Sequence, residues 1–232
     1  MARFLLVAAA SGIAQTLRGI LLASGHEVMT TARDQSKITP DFILDAGDFS
    51  AVENIFSQVG LIDGVVNCAG SLLIKPAHLT SFEEYQSIIQ ASLTSSFAVV
   101  RAAGIHMRQG GSVVLMSSSA AQIGLVNHEA IAAAKAGIIG LARSAAATYA
   151  PYGLRFNVVA PGLTETSLTQ ALTQNEVMRK ASEQMHPLGR LGQTQDIAQA
   201  IAFFLNPENN WITGQVLSVD GGLSTLKSRI KS

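Results

Sequence analysis

Seven short apolar runs alternate along the chain with segments of helical periodicity. The runs predicted as strands are Phe4–Ala9, Glu27–Thr31, Phe42–Leu44, Gly64–Val66, Ser112–Met116, Arg155–Val159 and Val216–Val219. Their nearly continuous apolar character is typical of strands buried on both faces of a parallel sheet. Between the runs, apolar residues recur at helical spacing, as at Val52, Ile55, Phe56 and Val59. The alternation predicts an α/β Rossmann fold with a doubly wound, seven-stranded parallel sheet.

One connection in this pattern is shorter than the others. Only Asp34–Asp41 joins the second and third strands, and Pro40 within it is unfavourable in a helix interior. We therefore expect an abbreviated crossover without a stable helix. No repeat, linker or low-complexity tract interrupts the chain, so residues 1–232 are interpreted as a single domain.

The composition narrows the classes of function. Hydrophobic residues make up 48% of the 232 residues and charged residues only 14%, which fits a large buried sheet. The 16 basic and 16 acidic residues balance, so no basic surface for a nucleic acid is expected. Polar residues interrupt every apolar run, so no membrane span is expected. The basic residues of the tail, Lys227, Arg229 and Lys231, are expected to be solvated.

The cysteine and histidine residues give two further expectations. Cys68 is the only cysteine and has apolar neighbours, which fits a buried thiol in a reducing, cytoplasmic compartment. The five histidines are scattered singly, without the paired spacing of zinc ligands, so no metal site is predicted.

Small and polar motifs follow the predicted strands, at the edge where a doubly wound sheet binds ligands. After the first strand, Gly12 and Ile13 open a helix whose free N–H groups are suited to a pyrophosphate, although a glycine can also simply ease a strand-to-helix turn. The later motifs are Asn67–Gly70, Ser117–Ser119, Pro161–Gly162 and Val219–Gly222, which end the fourth to seventh strands, and Lys135 within a long predicted helix.

Together with the segments FNVVAPG and PLGRLGQTQDIAQAIAFFL, these motifs make the chain resemble the short-chain dehydrogenase/reductase family over almost its whole length. The resemblance implies that NAD(P)(H) binds beyond the carboxyl ends of the strands. It also implies oxidoreduction of a small-molecule carbonyl or alcohol substrate, and a homo-oligomer, either a tetramer or a dimer. The many small residues of Ala130–Ala147 would let helices of two subunits approach closely.

The resemblance and the motifs assign the cofactor contacts to particular residues. These are Gly12, Ile13, Arg33, Asp45, Asn67, Ala69, Gly70, Lys135, Pro161, Gly162 and Thr166. By resemblance, Asp45 contacts the adenine and Lys135 holds the nicotinamide ribose. Two of the assigned residues have structural alternatives. Asp45 could cap the helix predicted over Phe49–Val59 together with Asp48, and Asn67 could satisfy backbone groups of its loop.

The residues that follow the second strand bear on the choice between NADP and NAD. Relatives that prefer NAD carry an acid at the end of this strand, whereas this chain has Ala32 followed by Arg33. A guanidinium there suits the 2′-phosphate of NADP, so NADP is predicted, with NAD as the second choice. An ion pair between Arg33 and Asp34 is the alternative role for this guanidinium.

The glycine-rich turn after the first strand departs from the family pattern. Two of its glycine positions hold Ala8 and Ala14, and only Gly12 matches. The change at Ala8 is the more serious, because a positive φ there would cost an alanine about 1–2 kcal/mol. Cofactor binding about tenfold weaker is therefore expected.

Two of the four catalytic roles of the family are kept in this chain. By resemblance, Ser118 polarises the substrate oxygen, and Lys135 depresses the pKa of a tyrosine that acts as general acid and base. The position of that tyrosine, four residues before Lys135 and thirteen after Ser118, holds Ile131. The asparagine of the family's proton relay is replaced by Ser92. Because isoleucine donates no proton, we predict impaired hydride-transfer chemistry.

Two other interpretations stay open on the sequence alone. The chain is an active carbonyl reductase or alcohol dehydrogenase if the proton comes from Ser118, from water or from His128, three residues before Ile131. It is a structural subunit if it binds no nucleotide. The segments that would shape a substrate pocket, Leu72–Thr80 and Glu165–His186, contain no cluster that identifies the substrate.

Overall fold

The structure, a computed structural model, describes residues 1–227. Its strands are β1 (Arg3–Val7), β2 (Glu27–Ala32), β3 (Phe42–Ile43), β4 (Gly64–Asn67), β5 (Gly111–Met116), β6 (Leu154–Pro161) and β7 (Val216–Val219). Its α-helices are α1 (Gly12–Ala23), α2 (Phe49–Val59), α3 (Phe82–Ile89), α4 (Ser95–His106), α5 (Glu129–Tyr149), α6 (Gln170–Thr173), α7 (Glu176–Met185) and α8 (Thr194–Leu205). A π-helical turn, Gln90–Thr94, joins α3 to α4.

The strands pair in parallel, in the order β3–β2–β1–β4–β5–β6–β7. β1 lies near the middle, with Leu5 opposite Met29 of β2 on one side and opposite Val65 of β4 on the other. The chain therefore builds the sheet outward from β1, first to one side and then to the other. Between β1 and β4 the direction of winding reverses, which leaves a crevice beyond the carboxyl ends of these strands.

Successive residues of β1 face opposite helical layers. Leu5 and Val7 belong to the core under α2, α4 and α5, whereas Phe4 and Leu6 belong to the core under α1 and α8. Both faces of the sheet are covered, which explains the continuous apolar runs in the sequence.

Two long helical segments of the first layer are apolar enough to resemble membrane spans. Phe82–His106 and Glu129–Tyr152 are long and apolar enough for such a span. Both contribute many residues to the core under the sheet, and the core helices of a globular domain have the same composition.

The predicted fold class and all seven predicted strands are confirmed, with strand ends that differ by one or two residues. β1 ends at Val7, before Ala8, because Ala8 has a φ of 59° and leaves the extended conformation. The connection between β2 and β3 contains no helix, as expected. Lys227 is exposed, and the other two basic residues of the tail, Arg229 and Lys231, lie outside the described residues.

Candidate active site

A cavity of about 540 Å³ opens at the carboxyl ends of β1, β4, β5 and β6. The loops after these strands form its base and include Gly12, Gly70, Ser118 and Gly162. Residues of α5 and residues between positions 163 and 186 complete the lining. The volume lies within the range of about 300–1,000 Å³ that is typical of small-molecule sites.

The turn from β1 into α1 presents the start of a helix to the cavity. Gly12 and Ile13 line the cavity, and their N–H groups have no acceptor within the helix. Ser11 caps the helix by accepting the N–H of Ala14 at 3.2 Å. The positive φ considered for Ala8 is present, at 59°. Because the first N–H groups of a helix attract anions, this turn is suited to a pyrophosphate.

Two glycines keep space next to the base of the cavity. A Cβ on Gly70 would lie 3.1 Å from Nζ of Lys135, and a Cβ on Gly12 would lie 3.3 Å from Cγ2 of Thr194. Oγ of Ser71 is buried in the same lining and has no hydrogen-bond partner in residues 1–227. A buried hydroxyl without a partner indicates a place for a polar ligand group, so these features fit a dinucleotide.

The three cofactor residues predicted at the end of β4 and in the following loop occupy two different positions. Ala69 and Gly70 line the cavity, whereas Asn67 lies behind them and is buried. Its Oδ1 accepts the N–H of Ala69 at 3.1 Å, and its Nδ2 donates to Oγ of Ser95 and of Ser96, at 3.2 Å each. Asn67 thus holds the loop in shape, which is the structural alternative considered for it, and its direct contact with a cofactor stays a prediction.

Ser118 and Lys135, the two predicted catalytic residues, both line the cavity. Nζ of Lys135 donates to the carbonyl oxygen of Met116 at 2.9 Å, which fixes the amine at the end of β5. Burial lowers the pKa of Lys135 to about 8, so this amine loses its proton at a lower pH than an exposed lysine does. Burial raises the pKa of the Cys68 thiol, also in the lining, to about 12, so that thiol stays protonated.

The two altered catalytic positions lie close to this lysine. Ile131 precedes Lys135 by one helical turn and lines the cavity, with 3% of its surface exposed. It belongs to a small apolar cluster with Ile88 and Ala134. Ser92 lies in the π-helical turn, and its Oγ is buried without a partner in the described chain. The cavity therefore has an apolar side chain where the resemblance places a phenol.

Arg33 and Asp45 lie at the protein surface and outside the cavity lining. The carboxylate of Asp34 accepts the N–H of Ser36 at 2.9 Å and forms no ion pair with Arg33 in the described part of the chain. The Arg33 guanidinium is thus not held by its neighbouring acid. Asp45 accepts the N–H of Gly47 at 3.0 Å and shapes the turn before α2. The adenine-side roles of Arg33 and Asp45 stay predictions.

Asp48, not Asp45, caps α2. Its carboxylate accepts the N–H of Ala51 at 3.0 Å. Of the two acids considered as caps for this helix, only Asp48 has that role.

The loop after β6 lines the cavity through three predicted residues, Pro161, Gly162 and Thr166. Nε2 of the buried His186 accepts the N–H of Leu163 at 3.3 Å, and its Nδ1 donates to the carbonyl oxygen of Ser182 at 2.6 Å. A Cβ on Gly162 would lie 2.6 Å from Nε2 of His186, so a glycine is needed for this approach. His186 thereby connects α7 to the end of β6.

The sequence placed the segment Glu165–His186 at the pocket, but neither His186 nor the lining face of α7 within it was identified. Met178, Ala181, Ser182 and Met185 of α7 line the cavity. Their spacing of i, i+3, i+4 and i+7 is the signal that could have identified this face of the helix. His186 had no such signal, because a single histidine in a loop has no periodicity.

His128, the alternative proton donor, also lines the cavity. Its Nδ1 lies 2.7 Å from the carbonyl oxygen of Val126, so this nitrogen carries a hydrogen. In the neutral ring Nε2 is then an acceptor, and only the imidazolium form can donate from it.

A cavity at the switch point of a doubly wound sheet, beside a helix N-terminus, is the arrangement of the dinucleotide-binding Rossmann proteins. The family model described as enoyl-(acyl carrier protein) reductase matches residues 7–224 of this chain. The 3-oxoacyl-[acyl-carrier-protein] reductase FabG of Vibrio cholerae is 33% identical over 235 aligned positions, which cover 94% of this chain and 96% of that enzyme. The chain belongs to the short-chain dehydrogenase/reductase family, whose members are NAD(P)-dependent oxidoreductases.

Solved structures share the fold over almost the full length. The aldohexose dehydrogenase of Thermoplasma acidophilum, in ligand-free form, has a TM-score of 0.90 at 28% identity, covering 100% of this chain and 96% of its own. ElxO, solved with NADP bound, has a TM-score of 0.89 at 28% identity, covering 97% of this chain and 100% of its own. The predicted family and class of cofactor are thus found among relatives of the same fold.

Proposed function

We propose that this protein binds NADP(H) and a small carbonyl or alcohol compound in the cavity, with impaired hydride transfer between them. The observation that supports the proposal is that Lys135 and Ile131, four residues apart on α5, both line the same cavity. The family's lysine is kept, and the position that the resemblance gives to its proton donor is apolar.

Different residues of the cavity are assigned to different parts of the cofactor and the substrate. The N–H groups of Gly12 and Ile13 face the place for a pyrophosphate, and Lys135 holds a ribose. Ser118 contacts the substrate oxygen. The cofactor, when bound, supplies or accepts the hydride. Because no phenol stands beside Lys135, the substrate oxygen gains no proton from this position, which removes a contribution of about 10²–10⁴ to the rate.

The preference for NADP over NAD is part of the same proposal. It is supported by the exposed guanidinium of Arg33 after β2, which its neighbour Asp34 does not hold in an ion pair. A guanidinium binds a phosphate through paired, charge-assisted hydrogen bonds. The relative ElxO, with NADP bound, also supports this preference.

We further propose a homo-oligomer, a tetramer or a dimer, in the cytoplasm. Support for self-association comes from α5, whose outer face exposes small residues such as Ala133, Ala136 and Gly140. Small residues let two helices approach closely.

A titration of cofactor fluorescence tests the proposal directly. We expect NADPH to bind about tenfold more tightly than NADH, and Arg33→Ala to remove the difference. Arg108→Ala is the matched control, because that guanidinium stacks on Tyr152, 4.4 Å from the ring centroid, next to the amino end of β5. Equal affinities in the parent would contradict the preference. No binding of either nucleotide would indicate a structural subunit instead.

A further inference from the structure

The outer part of the cavity is lined by apolar side chains from three regions of the chain. We call this part the outer cleft, and its defining residues are Leu72, Ile74 and Val126 from loops and Leu172, Met178 and Met185 from α6 and α7. Several of these side chains are substantially exposed, with 83% for Val126 and 45% for Met178. Apolar side chains that stay exposed around a cavity mouth mark a binding surface.

The charged residues of α7 point away from the outer cleft and pair with one another. Arg179 forms ion pairs with Glu165 and Glu183, and Lys180 pairs with Glu176. None of these five residues lines the cavity. The helix therefore presents a charged face to solvent and an apolar face, with two methionines, to the cleft. Methionine side chains adapt to ligands of irregular shape.

The six side chains that define the outer cleft offer no charged or hydroxyl group to a charged or highly hydroxylated ligand. Among the lining residues that the structure describes, Lys135 is the only Asp, Glu, Lys or Arg, and the proposed function assigns its amine to the ribose of the cofactor. Two of the lining hydroxyls are engaged with the main chain, whereas the unpartnered hydroxyl of Ser71 lies among the features that fit the proposed cofactor. Oγ1 of Thr164 donates to Gly162 at 3.2 Å, and Oγ1 of Thr169 donates to main-chain carbonyls.

From these observations we propose that the outer cleft binds the hydrocarbon part of an uncharged, apolar carbonyl compound and discriminates against sugars and carboxylates. The inference rests on the proposed function, because it places the carbonyl end of the ligand beside Ser118 in the cofactor cavity. An apolar chain gains from burial against the cleft, whereas a carboxylate would lose its hydration without a counter-ion.

The test compares three ligands that share a carbonyl group. Dissociation constants for 2-octanone, 7-oxooctanoate and erythrulose are measured by equilibrium dialysis, with and without saturating NADP⁺. We expect 2-octanone to bind at least about tenfold more tightly than either of the others. Equal or tighter binding of 7-oxooctanoate or erythrulose would overturn the inference.

Two charge variants of α7 test whether the difference in ligand affinity arises in the outer cleft. Met178→Lys should weaken binding of 2-octanone and strengthen binding of 7-oxooctanoate, each by about threefold or more, because it brings a cation to the lining. Val177→Lys is the matched control, since Val177 is 79% exposed on the same helix and does not line the cavity. Identical effects of the two variants would overturn the assignment to the cleft. If 2-octanone binds most tightly of the three ligands but NADP⁺ neither binds nor changes their dissociation constants, the proposed function is wrong. The inference about the outer cleft would still hold in that case.

Discussion

The side chain at position 131 decides which chemistry the cavity can perform. We expect Ile131→Tyr to raise NADPH-dependent ketone reduction by at least about tenfold, yet by less than the full general-acid contribution of about 10²–10⁴. Ile131 lines the cavity one helical turn before Lys135, so a phenol there would lie beside the ammonium, which favours its ionised form. The measurement is NADPH oxidation against a panel of activated ketones and diketones, with cofactor binding measured separately.

Two results bear on this account of the missing acid. Ser92→Asn should help only in the tyrosine background, because groups that act as a unit are not additive. A parent protein that already turns over at about 1–10³ per second, with no gain from tyrosine, would show that another group supplies the proton.

Backbone strain at Ala8 gives a prediction about stability. Ala8 has a φ of 59°, and replacing it with glycine should raise the free energy of unfolding by about 0.5–1 kcal/mol, after the greater entropy of the unfolded glycine chain is subtracted. NADPH should also bind more tightly, by up to about tenfold, if the methyl group obstructs the phosphate turn.

Urea unfolding and cofactor titration measure both effects of Ala8→Gly. Asn127→Gly is the control, because Asn127 has a similar φ of 63° and asparagine tolerates this conformation better than alanine. The control should gain less stability. A loss of stability in Ala8→Gly would contradict the strain argument.

The buried amine of Lys135 makes stability depend on pH. Its pKa is lowered to about 8 in the folded protein, whereas the unfolded chain holds the proton to its ordinary value of 10.5. Between these values the unfolded state binds more protons, so the contribution of this residue to stability rises with pH, by about 1–3 kcal/mol. Below pH 8 both states hold the proton, and the contribution is constant.

Urea unfolding of the parent and of Lys135→Met at pH 7, 8, 9 and 10 isolates this contribution. The stability of the parent should rise relative to the variant above pH 8. Cys68, whose pKa is raised in the folded state chiefly by burial, acts in the opposite direction in both proteins. Parallel curves for the two proteins would refute the assignment.

At the scale of the elements, the packing of α4 on α5 depends on a glycine. A Cβ on Gly104 of α4 would lie 2.5 Å from Oη and 2.7 Å from Cε1 of Tyr149, whose ring packs on Phe156 with centroids 5.6 Å apart. Gly104→Ala should therefore lower the free energy of unfolding by about 1–3 kcal/mol. Thermal or urea unfolding measures it.

Gly19 of α1 offers a matched control for the same substitution. A Cβ there would meet no atom within 4 Å, so Gly19→Ala should stabilise the protein by up to about 1 kcal/mol. Two substitutions with the same sign would show that helix propensity, and not the contact with Tyr149, governs the outcome.

The elements of the sheet could be predicted from the sequence residue by residue, whereas the cover of the cavity was predicted only as two segments, Leu72–Thr80 and Glu165–His186. Strands buried on both faces leave a continuous apolar signal, and the resemblance to the family assigned Ser118 and Lys135. α7 has no fully buried residue, because it lies between solvent and the cavity, so no buried core position marks its inner face. The role of Asn67 depended on Ser95 and Ser96, about thirty residues away in sequence, and no local pattern reveals such a partner.

At the scale of the whole molecule, the proposed oligomer should depend on the outer face of α5. Ala136→Arg places a long charged side chain in the stripe formed by Ala133, Ala136 and Gly140, and should reduce the mass of the assembly to that of a smaller species. Light scattering at micromolar concentration measures the mass. Gly19→Arg, on the exposed side of α1, is the control, and a monomeric parent would contradict the proposal.

The strand order also determines how the protein can form while it is being synthesised. Each strand that leaves the ribosome is added to an edge that is already available: β2 and β3 extend one side of β1, and β4 to β7 then extend the other in chain order. No strand has to insert between two that are already paired. One edge of β1 stays unpaired, however, until β4 is synthesised about sixty residues later. During this interval the nascent chain is most prone to non-native strand pairing and aggregation.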